Sequence, residues 1–332
     1  MKALVCEALG APETLRVIDA PEPVAGPAEA IVEVAYAALN FFDTLIVEGK
    51  YQVKPPPPFS PAGEFSGRVV ALGPGASGFA IGERVMGHVT HGAARQRIAV
   101  PVGALNRLPD GLGLDRAAGL TIAYGTTLHA LAQRGEMKPG ETLVVLGASG
   151  GVGLAAVEIG ALMGARVIAC ASSDEKLAFA KARGAAEGVN YATSDLRAEL
   201  KRLGGPKGID VVYDPVGGAL TEVALRSLGW KGRLLVIGFA SGEIPRPPLN
   251  LTLLKGCDIR GVFWGDFVAR EPEAHRGNMA RLLAWAAAGT LSAHVHAVHA
   301  LEDFLPAFRA IARREALGKV LLRLDAEPAR QN

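Results

Sequence analysis

The chain has 332 residues, of which 49% are hydrophobic, with 41 glycines, three cysteines and a formal net charge of +2. That length predicts two domains rather than one core, and the near-neutral balance, with no basic block among aromatics, gives no reason to expect a nucleic-acid partner. The N-terminal MKALVCEALG lacks the apolar core of a secretory signal, and no window of about 18 residues is apolar throughout, so a cytoplasmic protein with no membrane span is expected.

The first 118 residues or so read as β-rich. Lys2–Glu7, Thr14–Asp19, Ala30–Leu39, Glu64–Leu72, Arg84–Val89 and Ala94–Val100 alternate or run apolar between Pro and Gly punctuation. Pro55–Pro58 must be a stiff extended loop. From Asp115 the texture changes. Asp115–Gln133 has helical period, and strand–helix units follow with strands at Leu143–Leu146, Arg166–Ala171, Gly188–Tyr191, Asp210–Asp214, Arg233–Gly238 and Asp258–Phe263. Such alternation implies a parallel sheet with right-handed crossovers. Glu271–Gly289 (helix), His294–His299 (strand), Leu301–Arg313 (helix) and Lys319–Leu324 (strand) do not extend the repeat and are expected to return to the first domain. The three cysteines, Cys6, Cys170 and Cys257, are too widely spaced for a thiolate metal site and read as buried free thiols.

The most informative stretch is TLVVLGASGGVGLAAVEIGALMGARVIACASSDEK, from Thr142 to Lys176. A buried strand leads into Gly147, Gly150, Gly151 and Gly153, then a helix, then a second buried strand. Glycines in that context let backbone N–H groups approach a pyrophosphate at a helix N-terminus, so the segment reads as a dinucleotide-binding turn. Gly147-Ala148-Ser149-Gly150-Gly151 also fits a serine nucleophile elbow, but that leaves Gly153 and the second strand without a role. An NAD site usually carries Asp or Glu about 20 residues on, at the tip of the second strand. Here the strand ends Cys170-Ala171-Ser172-Ser173, with Lys176 close behind, which favours the 2′-phosphate of NADPH. Ser172-x-x-Glu175 could equally be a capping box, and Asp174 could face the ribose and shift preference to NAD.

Four further stretches, ALNFFDTLIVEGKY (Ala38–Tyr51), PAGEFSGRVVALG (Pro61–Gly73), VVYDPVGG (Val211–Gly218) and RREALGKVLL (Arg313–Leu322), resemble the zinc-free quinone oxidoreductase branch of the medium-chain dehydrogenase/reductase superfamily. The resemblance spans the chain. It implies an α/β protein: a Rossmann-type doubly wound parallel sheet over residues 121–262, and a GroES-like β-rich catalytic domain from residues 1–120 and 263–332. In zinc-dependent relatives a cysteine stands where Asn40 does and a Gly-His-Glu triplet where this chain has Ala62-Gly63-Glu64, so no metal is expected. His294-x-His296 lacks a third ligand.

By the same resemblance, Asn40 and Thr126 hold the nicotinamide ribose and carboxamide. Ser149, Gly150, Gly151 and Val152 surround the pyrophosphate, and Ser172, Lys176, Tyr191 and Arg314 meet the adenosine phosphate. Phe239 and Ser241 pass the nicotinamide half, with Phe263, Trp264 and Gly265 on its far side. Asn40 also reads as a plain helix N-cap. Where some relatives carry a second tyrosine this chain has Leu45, so substrate choice does not carry over. The implied activity is metal-free hydride transfer from NADPH to a small-molecule electron acceptor in a dry pocket, with Tyr51 first and Asn40 second as donors to the developing oxyanion. A quinone is the first acceptor. An activated C=C bond of an enal, enone or acyl-thioester is the second, and a non-catalytic NADPH sensor or RNA-binding protein the reading of another class. The resemblance also implies a homodimer paired near Arg260–Phe263.

Overall fold

The computed structural model describes residues 1–324; residues 325–332, expected above to belong to the returning segment, lie outside the described residues. The chain divides into two compact units, Met1–Ile122 with the residues from Ala293 onward, and Ala123–Ser292.

In the first unit β1 (Lys2–Val5) and β2 (Arg16–Asp19) form an antiparallel pair. β3 (Glu29–Leu39), α1 (Phe41–Val47), β4 (Glu64–Leu72), β5 (Arg84–His88), β6 (Arg97–Pro101), β7 (Leu105–Arg107) and α2 (Leu114–Ala118) follow. β3, β4, β5 and β7 are antiparallel neighbours, and β6 pairs with the first half of β3. β3 shows why the sheet forms. Ala30, Val32 and Val34 are buried while Glu29, Ile31 and Glu33 are not, the period of two that puts alternate side chains on opposite faces. The buried face meets Phe65, Val69, Val85, Ile98 and Val100 in one core.

α3 (Thr121–Leu128) leads into the second unit, where the parallel strands are β8 (Thr142–Leu146), β9 (Arg166–Ala171), β10 (Glu187–Asn190), β11 (Ile209–Asp214), β12 (Leu228–Val236) and β13 (Asp258–Gly261). Helices α4 (Gly151–Leu162), α5 (Asp174–Lys181), α6 (Leu196–Gly204), α7 (Ala219–Ser227) and α8 (Asn250–Lys255) connect them. α9 (Trp264–Arg270) and α10 (Pro272–Ala287) close the unit. The spatial order is β10-β9-β8-β11-β12-β13. In chain terms that is third, second, first, fourth, fifth, sixth, the doubly wound dinucleotide-binding arrangement, whose ligands lie at the carboxyl ends of the strands where the order reverses. The central strands are apolar throughout because helices cover both faces; Leu143–Leu146 and Val167–Cys170 are fully buried. The chain returns through β14 (Val295–Ala300), α11 (Phe304–Ala312) and β15 (Lys319–Arg323); β15 lies antiparallel to β3 and parallel to β14.

Three expectations need correcting. The return to the first unit comes at Ala293, not at residue 263, because α9 and α10 pack within the second unit. Phe267 stacks on His129 at 3.7 Å, Asn278 bonds Gln133, and Trp264 lies over Gly125. The helix expected over Asp115–Gln133 is broken at Gly119–Leu120. The buried Glu64 carboxylate accepts the Ile122 N–H at 2.7 Å, so α3 starts there instead of continuing α2, and a wider turn, His129–Arg134, ends it. β7, α8 and α9 are additional elements.

Candidate functional site

In the second unit the glycine turn joins β8 to α4 at the point where the strand order reverses. A Cβ on Gly153 would overlap the carbonyl oxygen of Gly147, so this position admits only glycine if helix and strand are to pack this closely. Gly150 is the N-cap of α4, and the nearest atom to a Cβ there is 3.7 Å away, which leaves the N–H groups at the helix start open to an anion. Ser149 is buried (6% exposed), and no hydrogen bond to its hydroxyl occurs among the described residues, unlike a nucleophile held by a base. Thr126 is half-buried on α3. Its neighbour Thr127, which sequence reasoning missed, is buried and bonds the Ala123 and Val152 carbonyls and the Tyr213 hydroxyl at 2.8, 3.3 and 2.8 Å, tying α3 to the first turn of α4.

At the end of β9 the helix cap is Ser173, not Ser172: Ser173 Oγ accepts the Lys176 N–H at 3.3 Å. That shift by one residue leaves the exposed Ser172 hydroxyl out of the cap, where it accepts from Lys176 Nζ at 3.2 Å. Asp174 is turned elsewhere and accepts from Asn190 Nδ2 at 2.9 Å. The Tyr191 N–H bonds the Ala171 carbonyl, so Tyr191 follows β10 beside the same strand tip.

After β11, Asp214 organises the next turn, accepting from the Val216 and Gly217 N–H groups at 2.9 Å each and from Thr221 Oγ1 at 2.6 Å. The Phe239–Ser241 segment docks on it through Ala240 N to Pro215 O and Ser241 N to Val216 O; the Ser241 hydroxyl accepts from the Glu243 N–H within its own loop. Phe263 and Gly265 are exposed, whereas Trp264 is buried with its ring edge-on to His275.

In the first unit the register of three strands assembles a buried charged cluster. β15 pairs Val320 with Leu39 of β3, and β3 pairs Ala38 with Glu64 of β4, so Lys319, Asn40 and Glu64 come into one row. Lys319 Nζ donates to Leu39 O at 3.0 Å, Asn40 Oδ1 at 2.6 Å and Glu64 Oε1 at 2.8 Å. Asn40 Nδ2 donates to the same Glu64 oxygen at 3.0 Å. Asn40 is the N-cap of α1, and Asp43, the third helical residue, forms a capping box with it: Asp43 Oδ2 accepts the Asn40 N–H at 2.7 Å. Tyr51 is half-buried and stacks on Phe42 at 5.5 Å; burial, and after it the Asp43 charge, raises its phenol further, so the hydroxyl stays protonated at neutral pH. Leu45 is half-buried on the same helix, and Arg314 is exposed after α11 at φ 58°. Sequence reasoning singled out Asn40 and Tyr51 but missed Lys319, Glu64 and Asp43. The available signal was a charged residue opening an otherwise apolar strand, as in KVLL and EFSGRVV.

Residues 26–126 match the alcohol dehydrogenase GroES-like domain family and residues 151–285 the zinc-binding dehydrogenase family. The chain is 39% identical to quinone oxidoreductase-like protein 2 of Rattus norvegicus over 324 residues, 97% of this chain and 92% of the relative. It belongs to the quinone oxidoreductase type of the medium-chain dehydrogenase/reductase superfamily. Membership makes it an oxidoreductase with a GroES-like domain and a Rossmann-type sheet. Prostaglandin reductase-3 of Mus musculus is 33% identical over 86% of this chain and 76% of its own. The crystal structure of Escherichia coli quinone oxidoreductase complexed with NADPH superposes with a TM-score of 0.89 at 26% identity, covering 97% of this chain and 100% of that one. For a member of a family that includes zinc enzymes, the donor set matters. Among the described residues no group of three His, Cys, Asp or Glu side chains is arranged to hold a metal. At Gly63 a Cβ would come within 3.1 Å of Ile122, Phe42 and the Val89 carbonyl, so a side chain there would need its neighbours to shift. No described helix is long and apolar enough to cross a membrane.

Proposed function

We propose that this medium-chain reductase binds NADPH and reduces a quinone without zinc. The observation that carries the cofactor half is the Ser172–Lys176 pair at the tip of β9, with Asp174, the first acid after the strand, engaged by Asn190. A hydroxyl and an ammonium suit a phosphate dianion, and the Asp174 carboxylate is not left to claim a ribose 2′-OH. Tyr191 and Arg314 complete the phosphate-binding set; Ser149, Gly150, Gly151 and Val152 hold the pyrophosphate; Asn40, Thr126, Phe239, Ser241, Phe263, Trp264 and Gly265 hold the nicotinamide half. When bound, NADPH supplies hydride from C4 of its nicotinamide ring. Tyr51 and Asn40 donate hydrogen bonds to the oxyanion that hydride acceptance leaves on the substrate, while the Phe42–Tyr51 stack and Leu45 keep water away from it. Zinc does not suit the donor set at Asn40: an ammonium there has no lone pair to give and repels a cation.

The similarity to a quinone oxidoreductase-like protein supports the quinone, and the 33% identity to a prostaglandin reductase favours an activated C=C bond as the second reading. A panel of acceptors with NADPH separates them. Turnover of 1,4-benzoquinones at more than ten times the rate of matched enones is the expected result. The reverse ratio would support the second reading, and tight NADPH binding with no turnover of either would leave only a binding protein.

We also propose a homodimer. β13 is the edge of its sheet, and Trp230, Leu249, Leu253, Leu254 and Phe263, all exposed large apolar side chains, lie on the neighbouring segments. Exposed edges and apolar groups of this kind favour pairing with a second copy.

A further inference from the structure

A carboxamide can sit either way round, and which end faces a substrate decides whether it gives or takes a hydrogen bond. At Asn40 the surroundings leave no choice. Oδ1 is 2.6 Å from the Lys319 ammonium, which can only donate, and Nδ2 is 3.0 Å from Glu64 Oε1, which as a carboxylate only accepts. Turning the amide over would set N–H against N–H⁺ and oxygen against oxygen, losing two charge-assisted bonds and creating two repulsions. Both charges are themselves fixed. Lys319 and Glu64 are 3% and 0% exposed, Lys319 Nζ is also held by Leu39 O, and the second Glu64 oxygen accepts from Ile122 N–H.

We infer that Lys319 is a positioning residue: with Glu64 it locks the Asn40 carboxamide so that the uncommitted Nδ2 hydrogen is presented as a donor. The proposal rests on the reading of Asn40 as an oxyanion donor and extends it. Lys319 has no N–H left for cofactor or substrate: all three are spent on Leu39, Asn40 and Glu64.

The test combines kinetics with a readout independent of turnover. In the full-length enzyme, Lys319→Met should lower kcat for 1,4-benzoquinone at least tenfold; losing one oxyanion donor typically costs about 10²–10³ in rate. Lys319→Arg should recover most of the loss. Lys319→Met in an Asn40→Ala background should lower kcat no further, since a residue acting through Asn40 has nothing left to orient. Multiplicative losses in that cycle would overturn the proposal. In ¹⁵N–¹H spectra, the two Asn40 side-chain protons, assigned by their absence in Asn40→Ala, should be slow to exchange with solvent, and should shift and exchange faster in Lys319→Met. Unchanged resonances would overturn it equally. If Lys319→Met does not fold, Lys319→Gln, which keeps a donor but not the charge, carries the same comparison. A wild-type enzyme inert to every acceptor would defeat the functional reading alone, and the spectra would still decide the role of Lys319.

Discussion

Asp43, the third residue of α1, is fully buried and accepts the Asn40 N–H with one oxygen. Burial pushes its carboxyl up to about 7, against the Asn40 N–H and the Lys319 ammonium, which favour the charged form; the Glu64 charge adds to the rise. A carboxyl whose folded pKa lies above its unfolded value binds more protons in the folded state, so its contribution makes stability fall as pH rises from about 4 to about 7 and level off above. Asp43→Asn keeps an acceptor for Asn40 and cannot ionise. Its melting temperature should match the wild type at the acid end and exceed it by a few degrees at pH 8, where about 1 kcal/mol corresponds to roughly 2–4 °C. Parallel calorimetric profiles across that window would refute the assignment. None of this was legible from FFDT alone, where Asp43 reads as an ordinary first-turn acid. Its burial comes from strands that meet α1 only in the folded chain.

The β9–α5 unit shows what is gained and lost in reading elements from a string of residues. The strand, the turn and the nearby lysine were all legible, because an apolar β-branched run followed by Ser-Ser-Asp has few other ways to fold. The cap was misplaced by one residue, from Ser172 to Ser173, and that residue is the one that frees a hydroxyl for Lys176. Lys176→Ala should weaken NADPH binding roughly 10- to 100-fold, the range of one hydrogen bond to a charged group, and leave NADH affinity within twofold. Paired titrations with the two nucleotides check it; an unchanged preference would remove the phosphate site from the β9 tip. The break between α2 and α3 was not legible, since the helical period runs through it. Glu64 interrupts that helix by claiming the Ile122 N–H, and it lies 58 residues earlier in the chain.

On the scale of the whole molecule, the open question is how the edge of the six-stranded sheet is covered. Leu253 and Leu254 of α8 are 82% and 69% exposed, and Trp230 is 72% exposed. Sedimentation should find a dimer for the wild type, and Leu253→Glu with Leu254→Glu should shift it to monomer at micromolar concentration, because two charges would be buried without partners. A monomeric wild type, or a double variant that stays dimeric, would remove α8 from the interface. The apolar residues of α8 carried no such message in the sequence, where Leu251, Leu253 and Leu254 look alike; only Leu251 is buried.

By itself the sequence determined the alternation of strands and helices, the parallel sheet that alternation implies, the glycine-rich turn and the cation behind it. These depend on periodicity and on glycine, serine and lysine within about 35 residues of one another, and local patterns report local structure. Only the tertiary structure decided where the chain leaves the second unit, which serine caps α5, and that Lys319, Asn40, Asp43 and Glu64 form one buried cluster. The cluster depends on register between strands, which brings Asn40 and Lys319, 279 residues apart, within hydrogen-bond distance. No pattern along the chain encodes which buried charge will find which partner, because that is settled by the cost of leaving either one alone.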